Sequence, residues 1–168
     1  MSSQPIFHFK HMLKNLDHCM KKAAAYADHK KFDVNILASY RLAPDMFAFN
    51  KQIQSASDVA KFAAAYLSGQ TPPKHEDTET TWSELHERVQ KVVKYLDGFK
   101  PNDFAKMEAL QVKPGWAQGK WISGEDYLQS LAIPNFYFHL MTAYAIMRHA
   151  GVDVGKLDYL GNVNLKES

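Results

Sequence analysis

The stretch LAIPNFYFHLMTAYAIMRHA, residues 131–150, is apolar on nearly every side when read at helical period. A segment of this kind is a central helix packed inside the molecule rather than laid on its surface. Its few polar residues therefore carry the information. Asn135, His139, Thr142, Ile146 and His149 follow one another at steps of four, three, four and three, so they share one face of that helix. A buried amide or imidazole left without a partner costs about 1–3 kcal/mol, so these groups must bond within the fold or meet a ligand. Any chemistry is expected near them.

Outward from this segment the chain parses into helices and their stops. The helix begins near Ser123 or Gly124, with Glu125 and Asp126 in the first turn where the helix dipole favours acidic residues, and Gly151 stops it. Pro134 lies inside it, removes a backbone donor and predicts a kink before Asn135. Upstream, Trp82, Leu85, Val89, Val92 and Leu96 keep spacings of three, four, three and four, the cleanest amphipathic pattern in the chain. Thr81 and Glu84 form a capping box at its start, and Gly98 closes it. Between these two helices, EALQVKPGWAQGKWI at 108–122 predicts a small hairpin or irregular insertion, with Trp116 and Trp121 packing inward.

A second helix is expected from about Pro44 to Leu67, with Asp45 in its first turn. Phe49, Ile53, Ala56, Ala60, Ala63 and Leu67 form its stripe, and Gly69 ends it. Its alanines let a neighbouring helix come close. The first helix runs from about Phe7 to His29 on Phe9, Leu13, Leu16, Met20, Ala23 and Ala27, and residues 32–44 form a connector with a short helical turn. Residues 70–81, QTPPKHEDTETT, are polar, aperiodic and carry two prolines, so they form a loop. Ten extended residues reach about 33 Å, roughly the length of a 20-residue helix. The loop can thus return along the bundle and start helix three parallel to helix two. The expected fold is a single all-α domain over 1–168: a four-helix bundle with a long crossover between helices two and three. Leu157, Tyr159 and Leu160 are expected to dock on it, and the last few residues to fray.

Composition narrows the function. With 46% hydrophobic and 23% charged residues among 168, the chain is an ordinary globular one. A net charge of +2 and no long basic block argue against nucleic acid. The N-terminus lacks the apolar core of a secretory signal, and residues 131–147 fall short of the roughly 20 a bilayer crossing needs, so no membrane role is expected. One cysteine, Cys19, fits a reducing cytoplasm and reads as a small core residue. Glycine-rich phosphate loops, paired-cysteine zinc motifs and HExxH are absent from the sequence.

Several residues remain open between packing and function. His139 is either a buried histidine bonded to a neighbour or a ligand or general base. Asn135 and Thr142 hydrogen-bond within the bundle or join it. Phe136, Tyr137 and Phe138 pack the core, or with Tyr127 and Tyr144 line an apolar pocket on which polar groups converge. His149, near the helix end, suits the C-terminal dipole. Arg41 is expected to pair with Asp45, and His86 to lie at the edge of the core.

The segments KKFDVNILASYRLAPDM (30–46), QIQSASDVAKFAAAYLSG (52–69), DTETTWSELHERV (77–89), GEDYLQSLAIPNFYFHLMTAYAIMRHAGV (124–152) and GKLDYLG (155–161) resemble a bacterial family of unknown function grouped with the DinB-like and YfiT-like four-helix bundles. The resemblance covers almost the whole chain. It implies the bundle, and it brings an expectation about metal. Proteins of the wider group typically bind a divalent ion through one histidine on helix two and a His-x3-His pair on helix four, and some are thiol-dependent transferases or isomerases. Matching Arg148-x2-Gly151 to the end of that helix places Asn135 and His139 on the pair. Helix two offers Asp58 in place of its histidine. Asp58, Asn135 and His139 are thus the candidate set for nickel, zinc or manganese, although an amide is a poor ligand for the first two.

Two functions follow as expectations. One is a small-molecule-binding or structural homodimer with a degenerate metal site, its ligand-binding residues Asn135, His139, Thr142, Tyr127 and Tyr144. The other is a divalent-metal-dependent enzyme of transferase or hydrolase type acting on a small organic substrate, with His139 the candidate catalytic residue.

Overall fold

Helices α1 (Gln4–Lys30), α2 (Phe49–Leu67) and α3 (Trp82–Asp97) supply three walls of a bundle in this computed structural model, which describes residues 3–163 and 166. The fourth wall is one continuous helical run. It opens as α4 (Gly124–Asp126), widens into a π-helix over Tyr127–Ala132, and continues as α5 (Ile133–His149). Pro134 explains the widening. It cannot donate to the carbonyl one turn back and its ring crowds that carbonyl, so the preceding turn relaxes to the looser π spacing instead of breaking.

Contacting side chains give the helix directions. Phe49 and Trp82, which open α2 and α3, stack with centroids 4.6 Å apart, and Asp58 meets Arg88 at mid-length, so these two consecutive helices run parallel. Lys10 pairs with Asp97 and Asp17 with His86, so α1 and α3 are antiparallel. Gln52 meets His139 and Tyr66 meets Tyr127, so the fourth helix is antiparallel to α2. The order is up, down, down, up, and the crossover over residues 70–81 is what it requires.

The core is built from the predicted stripes. Phe9, Leu13 and Met20 of α1, Phe49, Ile53 and Ala60 of α2, Leu85 and Val89 of α3, and Phe136 and Leu140 of α5 are all buried. Cys19 is buried among them, and burial pushes its thiol up to about 11, as suits an inert core residue. The capping box forms as read: Thr81 Oγ1 accepts from the Glu84 amide, and Glu84 Oε2 accepts from the Thr81 amide.

Three local expectations are corrected. First, α2 starts at Phe49 rather than Pro44. Arg41 does not pair with Asp45; it reaches the carbonyls of Pro44 and Met46, and the Phe49 amide donates to Tyr40 O at 2.8 Å, which fixes this stretch as a loop after the 3-10 turn Val34–Ser39. Second, the insertion is a hairpin, β1 (Gln111–Val112) paired antiparallel with β2 (Ile122–Ser123), but Trp116 and Trp121 do not pack inward. They are 72% and 55% exposed, because they sit in the loop between the strands, and Phe104, Met107 and Val112 fill the end of the bundle instead. The hairpin returns tightly over the start of the fourth helix. A Cβ at Gly124 would overlap the Met107 carbonyl oxygen.

Third, the tail docks through polar groups rather than through leucine. Helix α6 (Lys156–Leu160) lies along α1, where His11 bonds Leu160 O, Asn15 donates to Tyr159 O, and His18 and Lys22 meet Asp158. These four α1 residues follow at steps of four, three and four, one continuous face. Tyr159 packs against Tyr144, but Leu157 is 77% exposed. The fraying expected of the last residues falls largely outside those described. Among the described residues, no helix is long and apolar enough to cross a membrane.

Candidate functional site

His139 lies on the face of α5 turned to α2, 9% exposed, with Nδ1 2.7 Å from Gln52 Oε1. The Gln52 amide is oriented by its other end, because Nε2 donates to Phe47 O at 3.0 Å and a carbonyl can only accept. Oε1 must therefore accept, and the proton of the neutral imidazole sits on Nδ1. Burial holds the His139 pKa below its ordinary 6.5, which favours that neutral form. Nε2 is left as an unprotonated acceptor. This relay, Phe47 to Gln52 to His139, fixes tautomer and ring orientation together.

His139 faces a cavity of about 480 Å3 between α2, the π segment, α5 and the hairpin loop. Asp58, Asn135 and Tyr127 reach the same cavity, as do Ser55, Phe62, Tyr66 and Trp116. Asn135 stands one turn before His139 on the same face. Its side chain is half-buried and bonds no other described residue. Tyr127 is 5% exposed, its ring meets Tyr66 edge-on at 5.8 Å, and burial raises the pKa of its hydroxyl, which keeps it a neutral donor. The π turn is what places it here. By widening the helix one turn before Pro134, it carries Tyr127, Leu131 and Ala132 to the cavity wall.

Asp58 is bound on its far side. Its Oδ1 accepts from Arg88 Nη2 and Lys61 Nζ, each at 2.7 Å. Arg88 and Lys61 are both 1% exposed and belong to a larger cluster that fastens the crossover to α2 and α3. Arg88 also reaches Glu79 at 2.8 Å and Asp77 at 3.0 Å, Lys51 reaches Asp77, Gln54 reaches Glu79, and Lys61 Nζ lies 3.2 Å from His75 Nδ1. Burial alone would lower the Arg88 pKa, but Asp58, Glu79 and Asp77 more than offset it. Asp77 and Glu79 are likewise held below the ordinary carboxylate range: burial works against this, and hydrogen bonds from Lys51, Arg88, Gln54 and the Glu79 backbone overcome it.

The cavity thus gathers Asn135, His139, Tyr127 and Asp58, but not the other two predicted residues. Thr142 is buried below it and donates to Phe138 O at 2.6 Å, a bond back to its own helix. Tyr144 is five residues past His139, well over a quarter turn away at about 100° per residue. Its hydroxyl donates to Val154 O and its ring meets Tyr159. His149 is exposed. Gln52, Arg88 and Lys61 escaped the sequence reading. Arg88 had a signal: it follows Leu85 by three and precedes Val92 by four, inside the α3 stripe and downstream of the acidic loop HEDTE. Gln52 precedes Ile53 in the α2 stripe but offers no charge or motif that marks it.

The family model described as Domain of unknown function (DUF1993) matches residues 1–160. The chain belongs to this family. A solved structure of a DinB family member protein from Shewanella denitrificans shares 46% sequence identity with this DUF1993 chain, at a TM-score of 0.92, covering 97% of this chain and 93% of that one. No curated protein matches it. The DinB-like bundle expected from the sequence is therefore the fold of this DUF1993 protein.

The metal that the wider group implies can be tested against the donors present. An ion at Asp58 would sit beside two buried cationic groups that already hold its Oδ1, and Asn135 offers an amide, so His139 Nε2 is the one strong ligand of the three. Among the described residues, no group of three His, Cys, Asp or Glu side chains could hold a metal ion. The three residues do not fit a divalent ion as a complete ligand set.

Proposed function

We propose that this DUF1993 protein binds a small organic molecule in the cavity between α2 and α5, with His139 Nε2 as the acceptor at its polar end. The relay through Gln52 carries this reading. It leaves the neutral ring of a cavity-lining residue with one nitrogen that bonds no described residue, a bonding capacity that packing alone does not use. The volume falls in the range of small-molecule sites, and aromatic walls with a few converging polar groups are their usual form. The test is a fragment screen by ligand-observed NMR on the wild type and His139→Gln. Fragments that bind the wild type and are lost or weakened in the variant support the reading; identical binding profiles overturn it.

The metal reading keeps one observation in its favour. An imidazole oriented through its Nδ1 by a side-chain partner is also how metal-bound histidines are held. Elemental analysis of protein purified without chelator, with His139→Ala in parallel, decides between them. Near-stoichiometric nickel, zinc or manganese that vanishes in the variant would favour a degenerate metal centre and the enzyme alternative. The expected homodimer is supported by Phe138 and Met141, 55% and 47% exposed at adjacent positions on the outer face of α5. Light scattering of the wild type and Phe138→Glu tests it.

A further inference from the structure

We propose that the ligand is a neutral planar ring carrying an N–H donor next to a carbonyl acceptor, as in an aromatic carboxamide, a lactam or a nucleobase edge. This rests on the small-molecule reading above and narrows it to a class.

Charge comes first. Among the described residues that line the cavity the one carboxylate is Asp58, and the cluster behind it sets three acids, Asp58, Asp77 and Glu79, against three bases, Arg88, Lys61 and Lys51. Asp58 itself touches two of the bases. A ligand ammonium reaching the other oxygen, Oδ2, would meet a carboxylate whose charge Arg88 and Lys61 already offset through Oδ1, and would gain little from it. A ligand carboxylate would meet the Asp58 charge and the lone pair of His139 Nε2, and among the described residues that line the cavity none is a Lys or Arg to receive it. Each sign of charge is therefore disfavoured, and desolvating an ion in a partly enclosed site adds to the penalty.

The polar end then sets the pattern of bonds. His139 Nε2 can only accept, so the ligand must donate there. Asn135 lies one helical turn away, about 5–6 Å between Cβ atoms, and its side-chain NH2 is free to donate to a ligand acceptor. Tyr127 brings a further hydroxyl that bonds no described residue. A donor and an acceptor side by side on one edge of the ligand satisfy the first two groups together. The walls supply the shape: Phe62, Tyr66, Trp116 and Tyr127 present aromatic surface, which favours a flat ring.

The experiment uses the full chain and four probes of similar size: benzamide, benzoate, benzylamine and toluene, titrated by ligand-observed NMR and by tryptophan fluorescence. Benzamide is expected to bind about tenfold more tightly than each of the other three. Asn135→Ala removes no bond to any described residue and should keep the wild-type thermal midpoint. It is expected to weaken benzamide about tenfold and leave toluene unchanged. Benzoate or benzylamine binding as tightly as benzamide overturns the ligand class while the cavity reading stands. Toluene as tight as benzamide, or benzamide indifferent to Asn135→Ala, overturns the donor-acceptor edge in the same way. No binding by any probe, with fragments from a wider screen also indifferent to His139→Gln, overturns both.

Discussion

Two polar groupings flank α2, and they have been solved in opposite ways. Toward α3, Arg88, Lys61 and Lys51 meet Asp58, Asp77 and Glu79 so that nearly every charge is matched within the protein; Arg88 Nε alone among the guanidinium nitrogens bonds no described residue. Toward α5, Asn135, Tyr127 and His139 Nε2 are uncharged and left with bonding capacity open to a cavity. Matched charges hold a segment in place; the unmatched neutral groups are what the proposed ligand would use. Buried polarity is thus a guide to function only after its partners have been counted.

The largest effect should come from breaking the matched side. Arg88→Met leaves three carboxylates around a vacated centre, and we expect a loss of about 3–5 kcal/mol in urea unfolding, as for other buried pairs that lose one partner. A loss below about 1 kcal/mol would mean the cluster behaves as solvated surface pairs, and the contrast with the cavity would collapse. Next is the relay. Gln52→Leu strands the His139 Nδ1 proton, with an expected cost of about 1–3 kcal/mol, and frees the ring to change tautomer, which 15N chemical shifts of the imidazole would report.

Acid should act on this polarity in two stages. His139 and His75 have folded pKa values below the ordinary 6.5, so the unfolded chain takes up protons first and stability declines as pH falls below that value. Asp77 and Glu79 are depressed carboxylates, so their contribution is present above the ordinary carboxylate range of 3.8 and 4.5 and is lost as pH falls further, through their folded values. Unfolding free energy against pH should therefore fall in two stages. His139→Gln should shrink the first and spare the second. The smallest effect on stability is expected from Asn135→Ala, within about 0.5 kcal/mol, while the same change is expected to weaken binding of the proposed ligand.

Much of this was legible in the sequence, for physical reasons. The α3 stripe, its capping box and the fourth helix follow from periodicity and local hydrogen bonding, which the chain carries residue by residue. The crossover followed from length alone, since twelve polar residues are far more than an antiparallel turn needs. Asn135 and His139 could be placed on one face because helical spacing fixes it. What stayed hidden depends on contacts between distant segments. Arg88 looks like any surface arginine until the acidic loop folds onto it, and Gln52 gains meaning only from Phe47 and His139. Trp116 and Trp121 were misplaced because size and hydrophobicity favour burial, whereas a two-residue hairpin has no interior to offer them. Tyr144 was grouped with Tyr127 by residue type, although helix geometry sets them on different sides.

The parallel run of α2 and α3 bears on how the chain finds its fold. Consecutive antiparallel helices can zip from their shared turn, each new contact close in sequence to the last, but α2 and α3 have no such turn. The seams of α1 with α3, of α2 with α5 and of α1 with α5 join residues far apart: Met20 with Trp82 are separated by 62 positions, His139 with Gln52 by 87, and His8 with Tyr137 by 129. Closing loops of that length costs entropy before any contact repays it, and folding rates fall as such contacts come to dominate. The acquisition of structure should wait on the crossover being laid down. Arg88 ties that segment to both of its helices, so Arg88→Met is expected to slow refolding in stopped-flow mixing as well as to destabilise the product.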